Sequence, residues 1–159
     1  MKKFRFFSIA VAVVMALFVS VWAATQKVTS GRAIGVAAVP VGVRACSSPL
    51  IEYYFGQPPT NATITKIEYN LGAISVNKGA FTIDSLRIEC NPPPPPNNVV
   101  TLPWNGTGTL TTTYFNGQPA KTTCKVSFCG KCTAGYMEAG QMVNMCNKSY
   151  SNSNMTITY

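Results

Sequence analysis

The chain has 159 residues, with 13 lysines and arginines, five acidic residues and no histidine, for a formal net charge of +8. Without histidine, Ser-His-Asp and Cys-His catalytic arrangements are excluded and the commonest general base is missing. The basic residues are spread almost evenly along the chain and form no patch, which argues against a nucleic-acid partner.

The N-terminal segment has the features of an export signal. Three basic residues precede an apolar run over residues 6–21, and Val21-Trp22-Ala23 offers the small residues that signal peptidase recognises. We therefore predict a Sec signal peptide over residues 1–23 and an extracellular or cell-surface protein of net charge +5. One alternative is a retained anchor, since residues 6–24 could span a bilayer, and only then do we expect membrane association. Another is a pilin-like removal of the basic leader alone.

Residues 24–45 are predicted to form an N-terminal extension or the first strand of the domain. Residues 33–43 are uncharged and consist mainly of Ile, Val, Ala and Gly. Such a segment suits a strand of the protein's own sheet or a strand donated to a neighbouring subunit, in which case Pro40 restricts it to an edge. The candidate donor-strand residues are Ile34, Val36, Val39, Val41 and Val43.

Residues 46–159 are predicted to form a single disulfide-bearing β domain. Residues 63–71 alternate with the period of a half-buried strand. In residues 81–90 the apolar positions change face near Asp84-Ser85, which predicts a bulge. Residues 154–159 alternate again and predict a final strand. Residues 134–146 carry apolar side chains at helical spacing and predict a short helix.

Two segments between these strands carry turn or linker signals. Pro92 to Pro96 favour polyproline II and predict a stiff connector between two sheets. Asn116-Gly117 lies between the β-patterned residues 107–115 and 120–128, which predicts a hairpin. A three-residue loop would place Cys124 opposite Leu110, matching apolar with apolar, so we favour that register.

The six cysteines all follow the predicted cleavage site. An even number of cysteines in an exported chain predicts three disulfides, whose pairing the sequence leaves open. The residues concerned are Cys46, Cys90, Cys124, Cys129, Cys132 and Cys146.

The segment from Cys124 to Cys146 also has features of redox and metal sites. Its C-x4-C-x2-C spacing is the one used for [2Fe–2S] clusters, and Cys129-Gly130-Lys131-Cys132 is a redox-type C-x-x-C. Zinc would need four thiolates here, which oxidation removes. Met137, Met142 and Met145 suggest Cu(I), but we favour the interpretation that these methionines fill gaps in a small core. We predict no metal site and no cofactor.

Four Asn-x-Ser/Thr sequons permit surface glycosylation, at Asn61, Asn105, Asn147 and Asn154. Catalytic residues are not predicted, because the only remaining candidates are five scattered carboxylates.

Together these patterns predict a mainly all-β, disulfide-stabilised domain of the β-sandwich or jelly-roll type, with an immunoglobulin-like sandwich among the alternatives. The expected function is that of a non-catalytic structural protein, a subunit of a surface filament, pilus-like fibre or cell-surface layer that forms a homopolymer by strand addition. The alternatives are a secreted binding module or inhibitor for cell-surface glycans or proteins and, third, a redox or metal protein.

Overall fold

The computed structural model describes residues 23–91 and 98–159, so the predicted signal peptide up to residue 22 and the polyproline connector lie outside the described residues. The described part of the chain is all β and forms a two-layered sandwich, as predicted. The strands are β1 Thr25–Thr29, β2 Ile34–Pro40, β3 Arg44–Cys46, β4 Ile51–Phe55, β5 Lys66–Asn70, β6 Ala73–Lys78, β7 Ala80–Asn91, β8 Val99–Pro103, β9 Leu110–Thr112, β10 Thr122–Ala134, β11 Tyr136–Glu138, β12 Gln141–Val143, β13 Met145–Ser151 and β14 Asn154–Thr158. No helix in these residues is long and apolar enough to cross a membrane.

The first layer consists of two sheets that share long, interrupted strands. One sheet has the order β1-β14-β5-β9 and the other the order β2-β13-β6. Three chain segments contribute one strand to each sheet. In these segments β1 is followed by β2, β5 by β6 and β13 by β14. At the break, Ser30 N donates a hydrogen bond to Ser153 O at 2.8 Å. The layer therefore has one side formed by β1 and β2, and another formed by β9 and β6.

The second layer is built around β10, the longest strand. β10 pairs with β7 along one side and with β3 and β4 along the other, and β8 pairs with the outer side of β7. Cys129 lies opposite Ser85 and Gly130 opposite Ile83, which leaves Asp84 as the additional residue of a bulge. The predicted phase change in residues 81–90 is thereby confirmed. A Cβ on Gly130 would lie 2.2 Å from the Thr82 carbonyl oxygen, so the bulge requires glycine there.

The core between the layers is closed by aromatic side chains. Tyr53 of β4 meets Tyr69 of β5 edge to face, with ring centroids 5.9 Å apart, and Phe128 of β10 meets Tyr150 of β13 at 5.8 Å. The Tyr53 hydroxyl lies 2.7 Å from Ser153 Oγ. Burial raises the pKa of both Tyr53 and Tyr69, so these hydroxyls stay protonated and act as hydrogen-bonding groups inside the core.

All six cysteines form disulfides, as predicted. Cys90–Cys124 joins β7 to β10 and Cys46–Cys129 joins β3 to β10, in both cases between residues directly opposite each other. Cys132–Cys146 connects β10 to β13 and thereby links the two layers. The three cysteines of the C-x4-C-x2-C segment thus have three different partners. Three disulfides are typical of extracellular proteins.

The predicted hairpin around Asn116-Gly117 is wrong. β9 pairs with β5 in the first layer, whereas β10 belongs to the second. The turn itself exists, since Gly117 has φ +82° and Gln118 N donates to Phe115 O. It is fastened to the segment before β5 by hydrogen bonds from Gly117 N to Ile64 O and from Ala120 N to Ala62 O. The segment therefore crosses between the layers, and the favoured register of Cys124 opposite Leu110 does not occur.

The helix predicted over residues 134–146 is also wrong. The segment contains the short hairpin of β11 and β12, and its turn is formed by Ala139 and Gly140 at φ +49° and +79°. Positive φ at both central residues is the geometry of a tight two-residue hairpin turn. The strand predictions for residues 63–71 and 154–159 are confirmed by β5 and β14, which bury Ile67, Tyr69, Met155 and Ile157.

Candidate assembly surface

The strand β6 lies at an open edge of the first layer. It pairs with β13 only, and in the described residues no strand pairs with its other side. All six of its residues are exposed, including 55% of Ile74 and 40% of Val76. An exposed edge with β-branched side chains is a template on which another strand can pair. The prediction from sequence missed this strand, although its alternation of Ile and Val with Ser and Asn between Gly72 and Gly79 was a usable signal.

The edge strand on the opposite side, β2, is protected against such pairing. Ser48 N donates a hydrogen bond to Gly35 O at 3.2 Å, so part of the edge is already occupied. Ala38 has φ +51° in a bulge, where the side chain of Asn147 accepts a hydrogen bond from its N–H at 2.6 Å. Pro40 lacks a backbone donor. Proline, bulges and covered backbone groups are the devices by which proteins block sheet edges, and in β2 all three are present.

The end of β6 is held by its neighbours. Lys78 forms an ion pair with Glu138 of β11, and its ammonium lies 5.2 Å from the ring centroid of Tyr136. Within the sheet, Ser75 Oγ lies 2.8 Å from Ser149 Oγ of β13. A shallow groove of about 430 Å³ lies on this sheet, with Gly35, Val76 and Ser149 among its lining residues. The edge is therefore presented by a sheet with fixed geometry.

The candidate donor-strand residues are part of the chain's own sheet. Ile34, Val36 and Val39 are buried in β2, which pairs with β13, whereas Val41 and Val43 follow β2 and are exposed. Residues 24–45 as a whole supply β1, β2 and most of β3, which pair with β14, β13 and β10. This is the arrangement of the first alternative, a strand of the protein's own sheet, and donation to a neighbour would require the segment to leave it.

The four sequons lie in different surroundings. Asn61 and Asn105 are exposed, and Asn105 Oδ1 accepts hydrogen bonds from the backbone N–H and the hydroxyl of Thr107. Asn147 and Asn154 are half-buried, and Asn147 is engaged with Ala38 as described. Exposure therefore favours the first two positions as attachment sites.

Each of the five acidic residues forms an ion pair. The partners are Arg44 with Asp84, Lys66 with Glu68, Lys78 with Glu138, Arg87 with Glu89 and Lys125 with Glu52. Hydrogen bonds from Arg44, and then from Ser85, lower the pKa of Asp84 to about 2. A general acid at neutral pH would need the opposite shift.

The outer face of the second layer has a small polar depression of about 280 Å³. Its lining residues include Glu52, Lys125 and Glu89, which lie side by side on β4, β10 and β7. Lys125 Nζ lies 3.2 Å from Glu52 Oε1. This row of alternating charges can offer hydrogen bonds to a polar ligand.

The methionines of residues 137–145 do not fill the core, so the interpretation favoured from the sequence is wrong. Met137, Met142 and Met145 are 61%, 62% and 42% exposed. Among the described residues, no group of three or more His, Cys, Asp or Glu side chains could hold a metal ion.

No protein-family model matches the chain, and no curated protein matches it. Among solved structures, it is similar to a crystal structure of FLHE, with a TM-score of 0.47 and 17% sequence identity over 86% of this chain and 96% of that chain.

Proposed function

We propose that the chain is a non-catalytic structural subunit that acts outside the cytoplasm and associates with copies of itself by strand addition at β6. The observation that carries this proposal is the contrast between the two sides of one layer. The edge of β6 is open over six exposed residues, whereas the edge of β2 is blocked by Pro40, the Ala38 bulge and the hydrogen bond from Ser48. A protein that only needed to avoid association would protect both edges.

The complement on a second copy is β1. Among residues 23–91 and 98–159, this five-residue strand pairs only with β14, and it lies at the other edge of the same layer. Pairing β6 of one copy with β1 of the next joins two different surfaces, which produces an open chain of subunits instead of a closed dimer. The backbone hydrogen bonds supply affinity, and Ile74 and Val76 add apolar contact.

The absence of catalysis is proposed on separate grounds. Histidine is missing from the sequence, and all five carboxylates are engaged by lysine or arginine. Location outside the cytoplasm rests on the export-signal pattern together with the three disulfides. A surface filament, pilus-like fibre or cell-surface layer would use these properties together.

The test compares the secreted, disulfide-bonded protein with Val76→Lys and with Val43→Lys as a matched control. Val43 is an exposed valine that lies outside β6. We expect size-exclusion chromatography with light scattering and electron microscopy to show ordered polymers for the wild type and the control, and monomers for Val76→Lys. Polymers formed equally well by Val76→Lys would contradict assembly at this edge.

A secreted binding module is the second candidate, supported by the polar depression around Lys125. If this is the function, a polar ligand such as a cell-surface glycan should shift the amide resonances of Glu52, Glu89 and Lys125 in an NMR titration. A panel of charged and neutral glycans that leaves these resonances in place would argue against it.

A further inference from the structure

The exposed methionines are the feature of this fold that strand addition does not use. The four methionines of the described residues differ in solvent exposure. Met155 is fully buried, whereas Met137, Met142 and Met145 are exposed and lie within nine residues of sequence. Exposed large apolar side chains are ordinary when they are scattered singly. Val41, whose N–H donates a hydrogen bond to Asn144 O, is exposed beside this segment, but within residues 137–145 every exposed large apolar side chain carries a thioether sulfur, which points to a role for the sulfur.

The hairpin places two of these sulfurs on one face. Met137 of β11 lies directly opposite Met142 of β12, and directly opposed residues of an antiparallel pair project to the same side with Cβ atoms about 5 Å apart. The neighbouring positions, Tyr136 and Glu138, both contact Lys78 of β6. Because side chains alternate along a strand, the methionine pair projects away from that contact, toward solvent.

The hairpin is supported by its turn, by a contact with Lys78 and by a disulfide. Its tight turn is formed by Ala139 and Gly140, both at positive φ. Lys78 fastens one face, and the disulfide between Cys132 and Cys146 closes the segment that contains the hairpin. A site made of Met137 and Met142 is therefore carried by a supported element.

We propose that Met137 and Met142 bind a soft monovalent metal ion, Cu(I). Thioether sulfur is a soft ligand that selects Cu(I) over harder ions. It carries no proton that must be displaced, and the disulfides do not consume it. The nearest carboxylate in sequence, Glu138, is already paired with Lys78, so the sulfur atoms define the preference of the site.

The experiment uses Ag(I), a redox-inert ion with the same ligand preference, on the secreted protein with its disulfides intact. Since all six cysteines are bridged, thiols do not compete for the ion. Native mass spectrometry gives the stoichiometry, and NMR of the methionine methyl groups locates the ion. We expect one Ag(I) per chain, with shifts of the Met137 and Met142 methyl resonances and an unchanged Met155 resonance as the internal control.

The variants Met137→Leu and Met142→Leu then remove sulfur while they keep apolar bulk. Each is expected to weaken Ag(I) binding at least tenfold, and a competition assay with a chromophoric Cu(I) chelator should give the same order for Cu(I). A patch that serves only to dock an apolar partner would not respond in this way. Lack of a one-to-one complex, or unchanged affinity in the Met137→Leu and Met142→Leu double variant, would overturn the proposal.

Discussion

Val76 of the edge strand β6 lies directly opposite Ser149 of β13, and in the described residues no strand lies on its other side. Gly35 of β2 lies opposite the same serine across the sheet. The two neighbours of Ser149 therefore belong to two edge strands that differ in whether a further strand can pair with them. One edge is blocked by the chain's own loops and bulge, and the other is open, which is the asymmetry that directional assembly requires.

Replacement of Gly35 by alanine should destabilise the sheet that presents β6. A Cβ there would lie 2.5 Å from Ser149 Cβ and 2.6 Å from the Lys148 carbonyl oxygen, so the backbone of β13 would have to move. We expect a loss of about 1–3 kcal/mol in the free energy of unfolding, measured with urea. Gly31→Ala is the matched control, because nothing lies within 4 Å of its added Cβ. Equal effects of the two variants would argue against this packing.

Removal of the Ser153 hydroxyl should weaken the core. Its Oγ lies 2.7 Å from the buried Tyr53 hydroxyl, whose other neighbour, Tyr69 Oη, is 3.5 Å away. Ser153→Ala leaves the Tyr53 hydroxyl poorly paired, and a loss of about 1–3 kcal/mol is expected. Ser75→Ala, which removes an exposed serine pair, should change stability by less than about 0.5 kcal/mol. Thermal unfolding of both variants would distinguish the two sites.

The disulfides should differ in their contribution according to the loop that each closes. Cys46–Cys129 spans 83 residues, whereas Cys132–Cys146 spans 14. Loop-closure entropy contributes about 3 kcal/mol for the short loop and roughly 1.5 kcal/mol more for the long one. Paired replacement by alanine, followed by urea unfolding, should therefore cost more for Cys46–Cys129. The reverse order would show that local packing dominates over loop entropy.

The Arg44–Asp84 pair should give the protein a small acid-sensitive component of stability. The pKa of Asp84 is lowered from 3.8 to about 2 in the folded state, chiefly by its hydrogen bond from Arg44. The stabilisation is therefore present above about pH 4 and is lost as the pH falls through about 2. Both side chains are about half exposed, so screening by solvent keeps this contribution small.

Asp84→Asn should consequently lower stability at pH 6 and have little effect below pH 2. Urea unfolding at both pH values checks this. Arg44→Gln serves as the control, since it should have the same effect and the double variant should lose no more than either single variant. A loss that persists unchanged at low pH would contradict the assignment to this ion pair.

The strands were predictable from sequence where one face of the strand is buried and the other is exposed to solvent. β5, β14 and the bulge at Asp84 follow from alternation alone, because the buried core fixes which face each side chain takes. The hairpin at Asn116-Gly117 was mispredicted since local turn chemistry does not determine which strands pair. The backbone carbonyl groups of Ala62 and Ile64 accept hydrogen bonds from the residues of this turn, although they are distant from it in sequence.

The functional surfaces were less predictable for a related reason. Whether β6 is an edge depends on the order of strands in the sheet, and whether Met137 is exposed depends on the hairpin register and on Lys78. Helical spacing of the apolar residues in 134–146 predicts a helix packed on the core. The segment instead forms a hairpin, whose turn has positive φ at Ala139 and Gly140. The cysteine count, by contrast, predicted the three bridges, while their pairing required the fold.

Amide hydrogen exchange tests the role of β6 most directly. The secreted protein should be compared in dilute solution and at concentrations where it assembles, with exchange followed at each residue. We expect the amides of residues 73–78 that point away from β13 to exchange quickly in the dilute protein and to become protected on assembly, together with the amides of β1 that point away from β14. Assembly without new protection in residues 73–78, or a protein that stays monomeric at high concentration, would contradict it.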